Sequence, residues 1–140
     1  MRRTRPQGGA AILEFALAWP VALLLALGSV ELAVWGAESF AARAAALAGA
    51  RAASVAGSSP RIAEIVTMRV LAPSLVGAQA GAWCPGQAGP TPVVWVCATE
   101  SGSAVRVDVG GSVPALVPVG FADGLPLHAH IEMQKEAFTT

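Results

Sequence analysis

A chain of 140 residues has room for one compact domain and an anchor, but not for two full-sized domains. Its residues are 54% apolar and 13% charged, an imbalance concentrated in the first third, and nine basic side chains balance nine acidic ones. That balance excludes the Lys/Arg surplus with which proteins hold phosphate backbones, so nucleic acid is not an expected partner. Arg2, Arg3 and Arg5 precede every sizeable apolar residue except Met1, and the rest of the chain beyond them is acidic, six basic side chains against nine.

From Ala10 to Trp35 the chain runs AAILEFALAWPVALLLALGSVELAVW. At about 1.5 Å per residue this is long enough to cross a hydrocarbon core of about 30 Å. Arginines on its N-terminal flank alone predict a cytoplasmic N-terminus and an exported remainder, with Trp19 and Trp35 near the interfaces. A secretory signal peptide with Phe15 to Leu27 as its apolar region, or an uncut signal anchor, fits the same pattern. Both must accommodate Glu14, because a carboxylate near a bilayer centre costs about 2.5 to 3.5 kcal/mol. The sharpest signal is a spacing: in Gly9-Ala10-Ala11-Ile12-Leu13-Glu14-Phe15 the glutamate stands fifth after the glycine that closes the basic leader.

The run GGAAILEFALAWPVALLLALGSVE resembles the N-terminus of TadE-like pseudopilins of the tight-adherence (Flp, type IVb) pilus machinery. The resemblance implies cleavage by a prepilin peptidase after Gly9, a leader of residues 1–9, Ala10 as mature N-terminus and Glu14 at the fifth mature position. It also implies other pilin or pseudopilin subunits, pilus assembly proteins and the bacterial inner membrane as partners. Residues four apart share a helix face, so the new Ala10 amine, or that of a neighbouring subunit, can neutralise Glu14. The helix dipole alone favours a carboxylate in the first turns by about 0.3 to 1 kcal/mol. Ala48-Gly49-Ala50-Arg51-Ala52-Ala53 and the ending PLHAHIEMQKEAF are similar to later parts of the same family.

Beyond the transmembrane segment at 10–35, an alanine-rich composition with few breakers predicts that the helix continues outside the membrane over 36–57, ending at about Ala56. Its small residues, Ala41, Ala42, Ala44, Ala45, Ala46, Ala48, Gly49 and Ala50, allow close helix approach. Residues 58–140 are expected to form a small α+β extracytoplasmic domain. Gly57-Ser58-Ser59-Pro60 ends the first helix and starts a second, through a serine side-chain cap and proline in the first turn, running to about Leu71. Ile62, Ile65, Val66, Arg69 and Val70 form its expected packing stripe.

A Gly/Ala/Pro/Gln loop is expected over 73–92. Cys84 and Cys97 lack C-x-x-C spacing; in an oxidising compartment they can pair, closing about 15 residues for about 3 kcal/mol, and otherwise remain buried thiols. Strands are predicted at Val93–Thr99, Ala104–Val109 and Leu127–Met133, with a fourth at Val113–Val119 weakened by Pro114 and Pro118. Glu100-Ser101-Gly102-Ser103 reads as a hairpin turn, giving a small antiparallel sheet of three to four strands. The fold class is thus α+β, with a long N-terminal helix and a short second one.

Phosphate-cradling loops, G-x-S-x-G, H-E-x-x-H and a Cys/His pair are all missing from the sequence, so neither catalysis nor a cofactor is expected. His128, His130 and Glu132 share one side of a strand and offer three candidate metal ligands. Leu127, Ala129, Ile131 and Met133 alternate on the other side, which makes an ordinary amphipathic strand the competing and preferred account. The expected function is structural, that of a minor pseudopilin in pilus assembly, with a secreted or membrane-tethered binding module as the alternative.

Overall fold

The computed structural model describes residues 8–55, 57–116 and 124–136, and the fold is α+β. Helix α1 spans Gly8–Ser54 and α2 spans Pro60–Leu71, followed by a short 3-10 turn at Ala72–Ser74. The strands are β1 (Ala80–Ala82), β2 (Val94–Ser101), β3 (Ala104–Val113) and β4 (Leu125–Gln134), in the spatial order β1-β2-β3-β4.

The single long helix follows from the sequence: 47 residues rich in Ala and Leu, with Pro20 the one proline inside it. Its two halves differ sharply. From Ile12 to Val30, about 28 Å of helix at about 1.5 Å per residue, nearly every side chain is exposed, Ile12 and Leu25 to 72% and 70%. This is the one stretch among the described residues that is long and apolar enough to cross a membrane. The second half packs through small side chains, with Ala42, Ala45, Ala46, Ala50 and Ala53 fully buried at i, i+3, i+4 spacing. Of the expected small-residue face, Ala44 is exposed instead.

Gly57, with φ of 79°, takes the left-handed conformation that turns the chain out of α1. Pro60 opens α2 as expected, but the serine cap is a correction: Ser59 makes no side-chain cap hydrogen bond. Ser58 Oγ instead donates to the Ala52 carbonyl at 3.0 Å, tying the turn back to α1.

The packing stripe of α2 is also corrected. Ala63, Thr67 and Leu71 are buried, whereas Ile62, Ile65 and Val70 are each more than 40% exposed. The reason lies in α1. A Cβ on Gly49 would land on Thr67 Oγ1 and 2.7 Å from the Ala63 carbonyl oxygen, so the two helix backbones approach too closely for larger residues between them.

The sheet is mixed, which corrects the purely antiparallel expectation: β1 pairs parallel to β2, while β2–β3 and β3–β4 are antiparallel. The hairpin falls where expected, with Gly102 at φ 59° first in a two-residue connection. Its register sets Val94, Val96 and Ala98 beside Val105, Val107, Val109, Leu127 and Ala129 on one face, and both helices cover that face. The fourth strand is not Val113–Val119: Val113 ends β3, Pro114 to Leu116 are outside any strand, and residues 117–119 lie outside the described residues. The fourth strand is β1, inside the expected 73–92 loop.

Candidate functional site

The residues singled out at the N-terminus lie on the exposed half of α1. Gly9 and Glu14 are both solvent-facing, and no atom lies within 4 Å of a Cβ built on Gly9. Ala10 is in the helix, four residues before Glu14. Phe15 stacks on Trp19 one turn later, ring centroids 5.9 Å apart. Glu14 has no hydrogen bond or ion pair with any other described residue. Of the expected leader, residues 1–7 lie outside the described residues, and Gly8 and Gly9 begin α1.

Where α1 meets the folded head, three of its polar groups bond to the head's backbone. Both Glu31 carboxylate oxygens accept from the Leu116 backbone N–H, at 3.1 and 2.9 Å. Trp35 Nε1 donates to the Pro126 carbonyl at 2.9 Å. Glu38, only 3% exposed, accepts from the Val76 N–H at 2.8 Å. These roles were missed at the sequence level. The available signal was the spacing of Glu31 and Glu38, seven residues and two turns apart and therefore on one face, whereas Glu14 points about 100° away from them.

Cys84 and Cys97 are joined in a disulfide, Cα atoms 4.8 Å apart. On β2, Cys97 and Trp95 point away from the helices, so the bridge holds the start of the 83–93 loop against the open sheet face. There Trp83 meets Trp95 edge-on at 6.0 Å, and Trp95 covers the bare backbone of Gly110, the residue opposite it on β3.

The three candidate ligands of β4 point to solvent from that same face, and each sits opposite a β3 residue: Gly110–His128, Asp108–His130 and Arg106–Glu132. His130 Nδ1 lies 2.7 Å from Asp108 Oδ1, and Arg106 lies 3.8 Å from Glu132. Such cross-strand polar pairs are what an amphipathic strand presents to water. Their opposite-facing neighbours Leu127 and Ala129 are buried, as the alternation predicts. A groove of about 350 Å³ runs between α1 and the start of β4, lined by Trp35, Gly36, Ser39, Phe40, Arg43, Pro126 and His128.

No protein-family model, no curated protein and no solved structure matches this chain. Function therefore has to be argued from the chain's own residues.

Proposed function

We propose that this protein is a minor pseudopilin acting in assembly of a tight-adherence type pilus, processed by a prepilin peptidase after Gly9. The observation that carries the reading is a carboxylate, Glu14, five residues after Gly9 at the start of a helix half whose apolar side chains make almost no contact with the rest of the chain. A solitary charge in such a span calls for a partner, and the Ala10 amine released by cleavage supplies one on the same helix face, or on a neighbouring subunit. The basic leader supports a cytoplasmic N-terminus with the disulfide-bonded head exported into an oxidising compartment. In this reading the peptidase acts on the chain, and the chain itself is a packing subunit of the inner membrane or of the filament.

One observation favours the second reading, a secreted or tethered binding module. The head's hydrogen bonds to α1 begin at Glu31, so removal of everything through Gly28 would leave them in place. N-terminal sequencing of the membrane-extracted protein decides between them. A mature chain beginning at Ala10 supports the pseudopilin reading, and one beginning at or near Ser29 refutes it.

A further inference from the structure

The two edges of the sheet are treated differently. Beyond the short β1, the β2 edge is closed by α2, where Glu64 Oε1 accepts from the Ala98 N–H at 3.3 Å. Among the described residues the β4 edge has no equivalent. Lys135 N–H bonds to the Ser103 carbonyl in continuation of the β3–β4 register, so the odd-numbered residues of β4 direct their backbone groups to β3 and the even-numbered ones direct theirs outward. Two further bonds agree with this parity: the Pro126 carbonyl is taken by Trp35, and the Glu136 N–H by the Ser54 carbonyl, both on α1. Between these ties the outward N–H and C=O groups of His128, His130, Glu132 and Gln134 have no partner among the described residues. The groove of Trp35, Phe40 and Arg43 lies alongside the start of this edge, with Phe40 77% exposed and Arg43 in no ion pair among the described residues.

We propose that the β4 edge from His128 to Gln134 is a docking site for an extended peptide segment of a partner protein, which adds as a fifth strand. Unpaired strand edges recognise extended backbones through main-chain hydrogen bonds, and flanking pockets select alternate side chains. Here one side of the incoming strand faces the groove, so the segment carries apolar side chains at alternate positions for Trp35 and Phe40 and a carboxylate for Arg43. The β4 of a second copy does not fit as an antiparallel strand. Helix α1 and β4 run the same way, Trp35 beside Pro126 and Ser54 beside Glu136, so antiparallel β4 pairing would invert one of two copies that share a membrane orientation. The proposal is independent of where α1 is cleaved.

The test selects binders to the full-length protein in detergent micelles from a phage-displayed library of random peptides, then measures each peptide's affinity and the backbone amide exchange of the complex. Selected peptides should alternate apolar side chains, carry an acidic residue, and slow exchange at His128, His130 and Glu132. Glu132→Pro removes an outward N–H without touching a bond to β3, as Pro126 already does, and should weaken binding about tenfold or more while the fold persists. Arg43→Glu should weaken the acidic peptides and leave neutral variants of them unaffected. Failure to recover any such peptide, or binding indifferent to Glu132→Pro, overturns the proposal. So does slow exchange of the same three amides in the protein alone, because the edge is then covered by the chain itself or by another copy.

Discussion

Gly49→Ala tests the close contact of the two helices. The added Cβ would fall on Thr67 Oγ1 and 2.7 Å from the Ala63 carbonyl oxygen. The hydroxyl can swing aside, but the carbonyl belongs to the backbone of α2, so the helices must separate by several tenths of an ångström. Overpacking of this kind costs about 1 to 3 kcal/mol. Against it, alanine is the better helix former by about 0.5 to 1 kcal/mol. The net expectation is a loss of about 1 to 2 kcal/mol, which for a head of this size lowers the melting temperature by about 5 to 15 °C. Thermal melts of the full-length protein in detergent, followed by the near-ultraviolet signal of the packed Trp83–Trp95 pair, measure it. Thr67→Ala in the same background should recover only part of the loss, since the Ala63 carbonyl remains. A melting temperature that rises with Gly49→Ala would refute the reasoning, because helix propensity would then outweigh any steric conflict.

Replacing the buried Glu38 with Leu removes the acceptor of the Val76 N–H and should cost about 1 to 3 kcal/mol, whereas Gln keeps an acceptor and should cost about 1 kcal/mol or less; denaturant titration compares the two. Changing Cys84 and Cys97 together to Ser should destabilise the head by about 3 kcal/mol, seen as a lower melting temperature that no longer responds to reductant. Glu14→Leu should insert into the membrane at least as well as the parent, since it removes a charge costing up to about 3 kcal/mol, yet on the proposed pseudopilin reading it should abolish assembly; pilus counts at normal membrane levels of the protein check this. On the same reading, Gly9→Leu should block the proposed cleavage after Gly9, leaving a longer protein on gels of membrane extracts.

Much of the fold was legible because its signals were local. Alanine composition marked α1, Pro60 marked the start of α2, Gly102 marked the hairpin, and strict alternation marked β4. What escaped depended on distant contacts. β1 is Ala-Gly-Ala, with no β-branched residue to announce a strand, and exists because β2 and the loop held by Cys84 lie beside it. The stripe of α2 was assigned to the wrong side because size was read as burial. When the opposing helix presents Gly and Ala, the closest packing goes to Ala63 and Thr67, and the larger Ile62, Ile65 and Val70 are turned outward. Of the candidate site, the disulfide and the outward set of His128, His130 and Glu132 were read correctly, whereas Glu31 and Glu38 were given no role.

The three glutamates of α1 now separate by what their surroundings offer. Glu38 is buried where the head supplies a backbone donor, and Glu31 sits where the head first reaches the helix and receives the Leu116 N–H. Both carboxylates replace the water they lose with hydrogen bonds from this chain, which is why a helix continuous through 47 residues can tolerate them. Glu14 lies about 25 Å further along the helix axis from Glu31, where the head does not reach. The same physical requirement therefore passes outside the described fold, on the proposed reading to the Ala10 amine freed by cleavage or to another subunit. A carboxylate satisfied by its own fold is a structural element, and one left over on an apolar helix marks the place where this fold must be completed by something else.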